Sequence, residues 1–181
     1  MSSVRIAAVI NNHNYGQFVC EAVRSALAQS HPPAEVIVVD DGSTDDSLQQ
    51  LQQSFGDHPL VRVIATANHG QLAAVVSGVR AASADVVALL DADDRWRPQY
   101  FERLARRYGD QPACDFVFTN MEYFGTRQGL LRSDTRERDL GYSVLLGAFN
   151  TQYQGTATSA LSFRKTLAEK ILAAVTPALE A

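Results

Sequence analysis

Carboxylates crowd one short stretch of this sequence. Asp91, Asp93 and Asp94 come directly after an apolar run, VVALL at residues 86–90. Asp91 and Asp93 are two residues apart, so in an extended segment their side chains project to the same side. Like charges held that close need a cation, a proton or a hydrogen-bonding ligand between them. Mg²⁺ or Mn²⁺ carrying substrate phosphates suits such a pair, because hard divalent ions prefer oxygen and take few ligands from protein. The plain alternative is an acidic turn in which Asp93 or Asp94 caps a helix starting near Pro98. Two further patches have the same form. Asp40 and Asp41 follow the apolar run 36–39, and Asn11, Asn12, His13 and Asn14 follow the run 6–10.

The elements that must position these residues are legible from hydrophobic spacing. Short apolar runs bounded by polar turns, at 6–10, 36–39, 61–65 and 86–90, read as strands buried on both faces. Helical spacing fills the intervals. It is carried by Val19, Ala22, Val23, Ala26 and Leu27, then by Leu48, Leu51 and Phe55, then by Leu72, Val75, Val76, Val79 and Ala82. His31-Pro32-Pro33 stops the first helix, and Ser43 with Asp46 has the spacing of a capping box before the second. Phe101, Leu104, Ala105 and Tyr108 form a fourth apolar face. Strands alternating with helices predict βαβ crossovers and a mostly parallel sheet, the α/β class. The strands' carboxyl ends then converge on one edge, where ligands bind, and Asn68-His69-Gly70 belongs to the same crevice. An acidic crevice bordered by asparagines suits a nucleotide, since carboxylates accept from a base imide or ribose hydroxyls and a metal can bridge to a diphosphate.

The second half is less regular. Residues 116–119 read as a fifth strand, and 125–139 as a polar functional flap or loop containing Arg127, Arg132, Arg136 and Arg138. A short helix is expected at 140–149, irregular or edge-strand structure at 152–163, and a closing helix at 164–175 that faces inward with Ala168, Ile171, Leu172 and Val175.

Composition narrows the function classes. With 181 residues, 46% of them hydrophobic and 20% charged, the chain suits one globular domain with a substantial core. A net charge of −4 argues against a nucleic-acid-binding surface. Cys20 and Cys114 lack metal-ligand spacing and read as free thiols in a reducing compartment. The start lacks a basic n-region and long apolar stretch, and no run reaches the roughly 18 apolar residues of a membrane span, so the expectation is a cytoplasmic chain without a transmembrane segment. GxxxxGK[ST], a GxGxxG after the first strand and GxSxG are all absent, so NTPase, dinucleotide and α/β-hydrolase readings lack their signatures. A receiver domain would want its acid pair after the first strand, where this chain has asparagines. His13 and His69 have no partner at zinc spacing and read as loop residues.

VIVVDDGSTDDS, ANHG and VVALLDADDRWRP, in that order, resemble the signatures of family 2 glycosyltransferases. INNHNYGQFVCEAVRSALAQSHP is similar to that family's opening strand and helix, and TSALSFRKTLAEKI to its late core segment. The resemblance implies a GT-A fold, Rossmann-like, with helices flanking a mostly parallel sheet. It implies an inverting transferase using a nucleotide-diphospho-sugar, UDP- or dTDP-linked, with Mg²⁺ or Mn²⁺. A saccharide or lipid-linked acceptor, and a place in cell-wall or polysaccharide biosynthesis, follow from the same resemblance. On the matching positions Asp40 or Asp41 would contact the base and Asp91 the ribose, while Asp93, with Asp91, would hold the metal. Asn11, Asn12, Gly70, Gln71 and Ala92 would line the nucleotide-sugar pocket. The family's general base is an Asp or Glu beyond the late core segment. Glu180 is the candidate here, with a frayed terminal residue as its alternative. The processive tryptophan motif is absent, because Trp96, the single tryptophan, belongs to the DADDRW stretch itself. The expectation is one GT-A domain over residues 1–181, cut before its acceptor region. A non-catalytic nucleotide-sugar-binding module of the same fold is the alternative.

Overall fold

In a computed structural model the apolar runs form the centre of a six-stranded sheet. The structure describes residues 4–126, 128–131, 136 and 157–179. Strands β1 (Ile6–Asn12), β2 (Glu35–Asp41), β3 (Val61–Thr66) and β4 (Val86–Asp91) are joined through helices α1 (Gly16–Leu27), α2 (Ser47–Phe55) and α3 (Gln71–Ala81). Helix α4 (Tyr100–Asp110) leads to β5 (Phe116–Phe118) and to a hairpin of β6 (Glu122–Tyr123) and β7 (Gly129–Leu130). A 3₁₀ turn (Thr158–Ala160), β8 (Leu161–Arg164) and α5 (Lys165–Leu179) follow. The sheet order is β3-β2-β1-β4-β8-β5, with β1 to β4 mutually parallel and β8 antiparallel to both neighbours.

Period-two alternation sorts the strand residues onto two cores. Ile6, Ala8, Ile10, Val36, Val38, Val86, Ala88 and Leu90 face α1, α2 and α4. Ala7, Val9, Ile37, Val39, Val87 and Leu89 face α3 and α5. Both faces being covered is why the strands read as continuous apolar runs rather than alternating ones. Val23, Phe101, Leu104 and Val79 are buried as their spacing predicts, and Leu27 and Val75 pack from the margin. Helix α3 lies so close to the sheet that a Cβ on Gly78 would stand 2.4 Å from Val9 Cγ1.

Several expected faces are corrected. Leu72 is 66% exposed and Leu48 37%, because α3 turns Ala74, Gly78 and Val79 inward and α2 turns Ser47, Leu51 and Phe55 inward. On α5, Ala168 and Leu172 pack while Ile171 is 51% exposed. The capping box does not form. Asp46 makes no capping bond, and the Ser43 hydroxyl bonds Asp40 instead. Residues 161–164 are no edge strand but an interior one between β4 and β5, leaving β5 at the edge. The expected flap begins with the β6–β7 hairpin; Arg127, Arg132, Arg138, the helix expected at 140–149 and the Val175 side chain lie outside the described residues. Among the described residues no helix is long and apolar enough to cross a membrane.

Candidate functional site

Parallel pairing aligns the polar strand ends. Asn12 pairs with Asp40, Asn11 with Asp91, and Asp41 with Thr66, so the sequence's polar patches lie side by side on one sheet edge. The chain winds outward from β1 to β2 and β3, then crosses back to β4. The gap between β1 and β4 is therefore the topological switch point, the place where open α/β sheets hold ligands.

The two acids that end β2 have separate jobs. Asp40 is fully buried. Its Oδ1 accepts from Asn12 Nδ2 at 2.6 Å and from Ser43 Oγ at 2.6 Å, and its Oδ2 accepts from the Ser43 amide at 3.0 Å. It ties the end of β1 to the turn after β2. Gly42 carries that turn at φ +67°, where a Cβ would stand 2.7 Å from the Asn68 nitrogen. Asp41 is 4% exposed and reaches the other way. Its oxygens accept the main-chain N–H groups of His69 at 2.9 Å and Gly70 at 2.7 Å, which fixes the start of α3. The Thr66 hydroxyl also reaches Oδ1, at 3.4 Å, which leaves a free lone pair on Oδ2. The next residue, Gln71, donates to Asp91 Oδ1 at 2.8 Å, so the rim runs from β2 through α3 to β4.

The asparagines close the opposite wall. His13 Nδ1 lies 2.8 Å from the Asp41 carbonyl, an acceptor only, which assigns the proton to Nδ1. Nε2 then accepts from Asn14 Nδ2 at 3.1 Å and Asn68 Nδ2 at 3.2 Å, so His13 is a loop residue. Asn11 Oδ1 and Asn12 Oδ1 are buried without a partner among the described residues. Buried acceptors left unpaired at a switch point mark where a ligand or water donor belongs.

At the end of β4 the Asp94 amide donates to the Asp91 carbonyl at 3.1 Å, closing a tight turn. Ala92 is buried in the core, so only its backbone can meet a ligand. Burial raises the Asp91 carboxyl; hydrogen bonds from Asn11 and Gln71 oppose the rise, and the Asp93 charge adds to it. Burial raises Asp94 as well, against a hydrogen bond from Ser159 and with the charges of Asp93 and Asp91 adding to it. Asp93 is exposed and has no hydrogen bond or ion pair among the described residues. Neither Asp93 nor Asp94 caps α4, which corrects the acidic-turn alternative. Gln29, reaching across from the end of α1, accepts from the Phe101 amide at 2.9 Å.

No group of three Asp, Glu, His or Cys side chains among the described residues could hold a cation unaided. The donor set instead fits an ion shared with ligand phosphates: exposed Asp93, with desolvated Asp91 beside it. Asn11, Asn12, Asp41, Gly70, Gln71, Asp91 and Asp93 thus share one edge, with Asp40 behind them. Glu180 lies outside the described residues. The sequence reading missed Ser159, whose hydroxyl accepts from the Asp91 amide at 2.9 Å. It also missed Gln29, whose side chain sits between two elements far apart in the chain.

Fold and edge together define a doubly wound α/β domain with an acidic, amide-lined crevice at its switch point. The chain belongs to glycosyl transferase family 2, whose profile matches residues 7–172. It is 33% identical over 175 residues to an uncharacterised glycosyltransferase of Nostoc sp., covering 93% of this chain and 53% of that protein. It is 36% identical over 114 residues to the chondroitin synthase of Escherichia coli, covering 63% of this chain and 17% of that one. The chain therefore spans about half the length of the Nostoc protein and less of the synthase. Among solved structures it superposes on Staphylococcus aureus TarS 1–349 in complex with UDP, with a TM-score of 0.75 at 20% identity, covering 93% of this chain and 49% of that one. It superposes on the Pyrobaculum calidifontis mannosyltransferase in complex with GDP-Man and Mn²⁺, with a TM-score of 0.68 at 19% identity, covering 94% and 47%. These likenesses establish the GT-A fold.

Proposed function

We propose that this chain binds a nucleotide-diphospho-sugar and takes part in transferring its sugar, with inversion, to an acceptor hydroxyl. The observation that carries this reading is Asp93, unpartnered among the described residues and presented outward from the β1/β4 switch point beside Asp91. Of the two acids that end β2, Asp41, held at the start of α3 next to Gln71, is assigned to the base imide, while Asp40 is fully buried and closes on Asn12 and Ser43. The unpaired oxygen of Asn11, on the sheet face of Asp91, would accept from base or ribose, with Asn12 held to Asp40 on the other face, and Gln71 would orient Asp91 toward the ribose. Asp93, with Asp91, would hold Mg²⁺ or Mn²⁺, which when bound neutralises charge on the leaving diphosphate. In the transfer, the acceptor oxygen bonds to the anomeric carbon on the face opposite the diphosphate. The bond to the diphosphate oxygen breaks with its electron pair, and the acceptor proton passes to a carboxylate base.

Relatives support the class of substrate. TarS structures hold UDP and UDP-GlcNAc, and a relative from Pseudomonas syringae is an undecaprenyl-phosphate 4-deoxy-4-formamido-L-arabinose transferase, 38% identical over 106 residues. A UDP- or dTDP-sugar donor, a saccharide or lipid-linked acceptor and a role in cell-wall or polysaccharide synthesis are the corresponding proposals for this chain.

Asp93→Asn tests the reading, because it removes charge and nothing else that the structure uses. The expected result is at least a tenfold loss of Mn²⁺-dependent UDP affinity, about 1.4 kcal/mol, with thermal stability altered by no more than about 0.5 kcal/mol. Calorimetric titration with Mn²⁺ and with chelator measures it. Equal affinities for both proteins in Mn²⁺ refute the assignment.

A further inference from the structure

Ser159 stands 68 residues along the chain from Asp91, yet it meets the acid segment at two points. Strand β8 pairs antiparallel with β4, with Val86 opposite Arg164 and Ala88 opposite Ser162. The same register, extended along the strands, sets Ser159 opposite Asp91. The ladder does not continue that far, because the 3₁₀ turn Thr158–Ala160 replaces the extended backbone. The side chain of Ser159 takes over: its Oγ accepts the Asp91 N–H at 2.9 Å. The Ser159 carbonyl is itself held by Trp96 Nε1–H at 2.8 Å, and Trp96 is packed against Tyr100 and Phe101 with ring centroids 5.0 and 5.1 Å away. Ser159 is 4% exposed, so water does not compete for these bonds.

One buried residue therefore touches both ends of Asp91–Trp96, the first position through its hydroxyl and the sixth through its carbonyl. With Ala92 turned into the core, Asp93 is the carboxylate of this turn left facing solvent without a partner among the described residues. We infer that Ser159 is a positioning residue for the donor site, holding the Asp91–Asp94 turn so that Asp93 is presented to a divalent cation carrying a nucleoside diphosphate. The inference rests on the donor-binding reading above. It adds that the late segment sets the geometry of an acid motif nearly seventy residues earlier.

The test is titration of UDP, with GDP in parallel, into the 181-residue chain, with Mn²⁺ and with EDTA. The quantity read is the ratio of the two affinities. Ser159→Ala is expected to lower that ratio at least tenfold while leaving the affinity in EDTA within twofold of wild type. Ser159→Thr, which keeps the hydroxyl, is expected to bring the ratio back to within threefold. A merely structural role would lower the melting temperature and leave the ratio alone. Ser159→Ala with an unchanged ratio, or with equal losses in both arms, overturns the inference. Should Ser159→Ala not fold, Trp96→Phe removes the donor to the Ser159 carbonyl and keeps a smaller aromatic ring in place. It must lower the ratio about threefold, and no change there overturns the inference too. A wild-type chain whose affinities are the same with Mn²⁺ and with EDTA refutes the metal-dependent donor reading itself, and Ser159 falls with it.

Discussion

Asp41→Asn is the sharpest structural perturbation the site offers. Asp41 is 4% exposed, and its two oxygens accept one main-chain N–H each, from His69 at 2.9 Å and Gly70 at 2.7 Å. An asparagine has one acceptor oxygen and one donor group, so one of the two N–H groups must lose its acceptor and face a donor. Leaving a buried N–H unpaired costs about 1–3 kcal/mol, and the surviving bond loses its charge assistance. An amide is cheaper to bury than a carboxylate, which offsets part of this. The net expectation is a loss of about 2 kcal/mol, or roughly 4–8 °C in melting temperature for a domain of this size. Urea unfolding should show a lower midpoint at an unchanged m-value. Amide exchange should show the loss concentrated at residues 69–71. A variant with the wild-type midpoint and an equally protected Gly70 amide would refute the account of Asp41 as the anchor of α3.

Further predictions test the packing and the pH response. Gly78→Ala places a Cβ 2.4 Å from Val9 Cγ1 and 3.2 Å from Val39 Cγ2, both on buried strand residues, and should destabilise by about 1–3 kcal/mol despite alanine's better helix propensity; equal or greater stability in chemical denaturation would contradict the close approach of α3. Partial desolvation pushes the Asp45 carboxyl up, but hydrogen bonds from Ser47 and the Gly16 amide outweigh it and set it below its ordinary 3.8. A depressed acid stabilises the fold above its unfolded pKa and loses that contribution as pH falls through the folded one. The stability gap between wild type and Asp45→Ala should therefore be full at neutral pH and shrink below about pH 3.8, as denaturant midpoints across an acid series would show. A gap that widens on acidification contradicts the sign.

The sequence determined the four inner strands, the helices between them and the acids and asparagines at the strand ends. Both signals are local: an apolar run that must be covered on two faces, and polar residues where it stops. It also carried the family's ordered motifs. It did not determine which side of a weakly apolar helix turns inward. Leu72, Leu48 and Ile171 have the spacing of core residues, but α3 approaches through Gly78 and Ala74, too close for a larger side chain, so Leu72 is left outside. Strand order was equally hidden, since β8 enters beside β4 through pairing that no local pattern encodes. Two adjacent aspartates that look alike in sequence are separated only by tertiary contacts: Asp40 closes on Asn12 and Ser43, whereas Asp41 reaches the main chain before α3. Ser159 gave no sign of its role, because a single serine carries no periodicity and its partners, Asp91 and Trp96, come from the other end of a nonlocal strand pair. Local chemistry placed the reactive side chains at strand ends; the hydrogen bonds that aim them join residues far apart in sequence, and only the folded sheet brings those together.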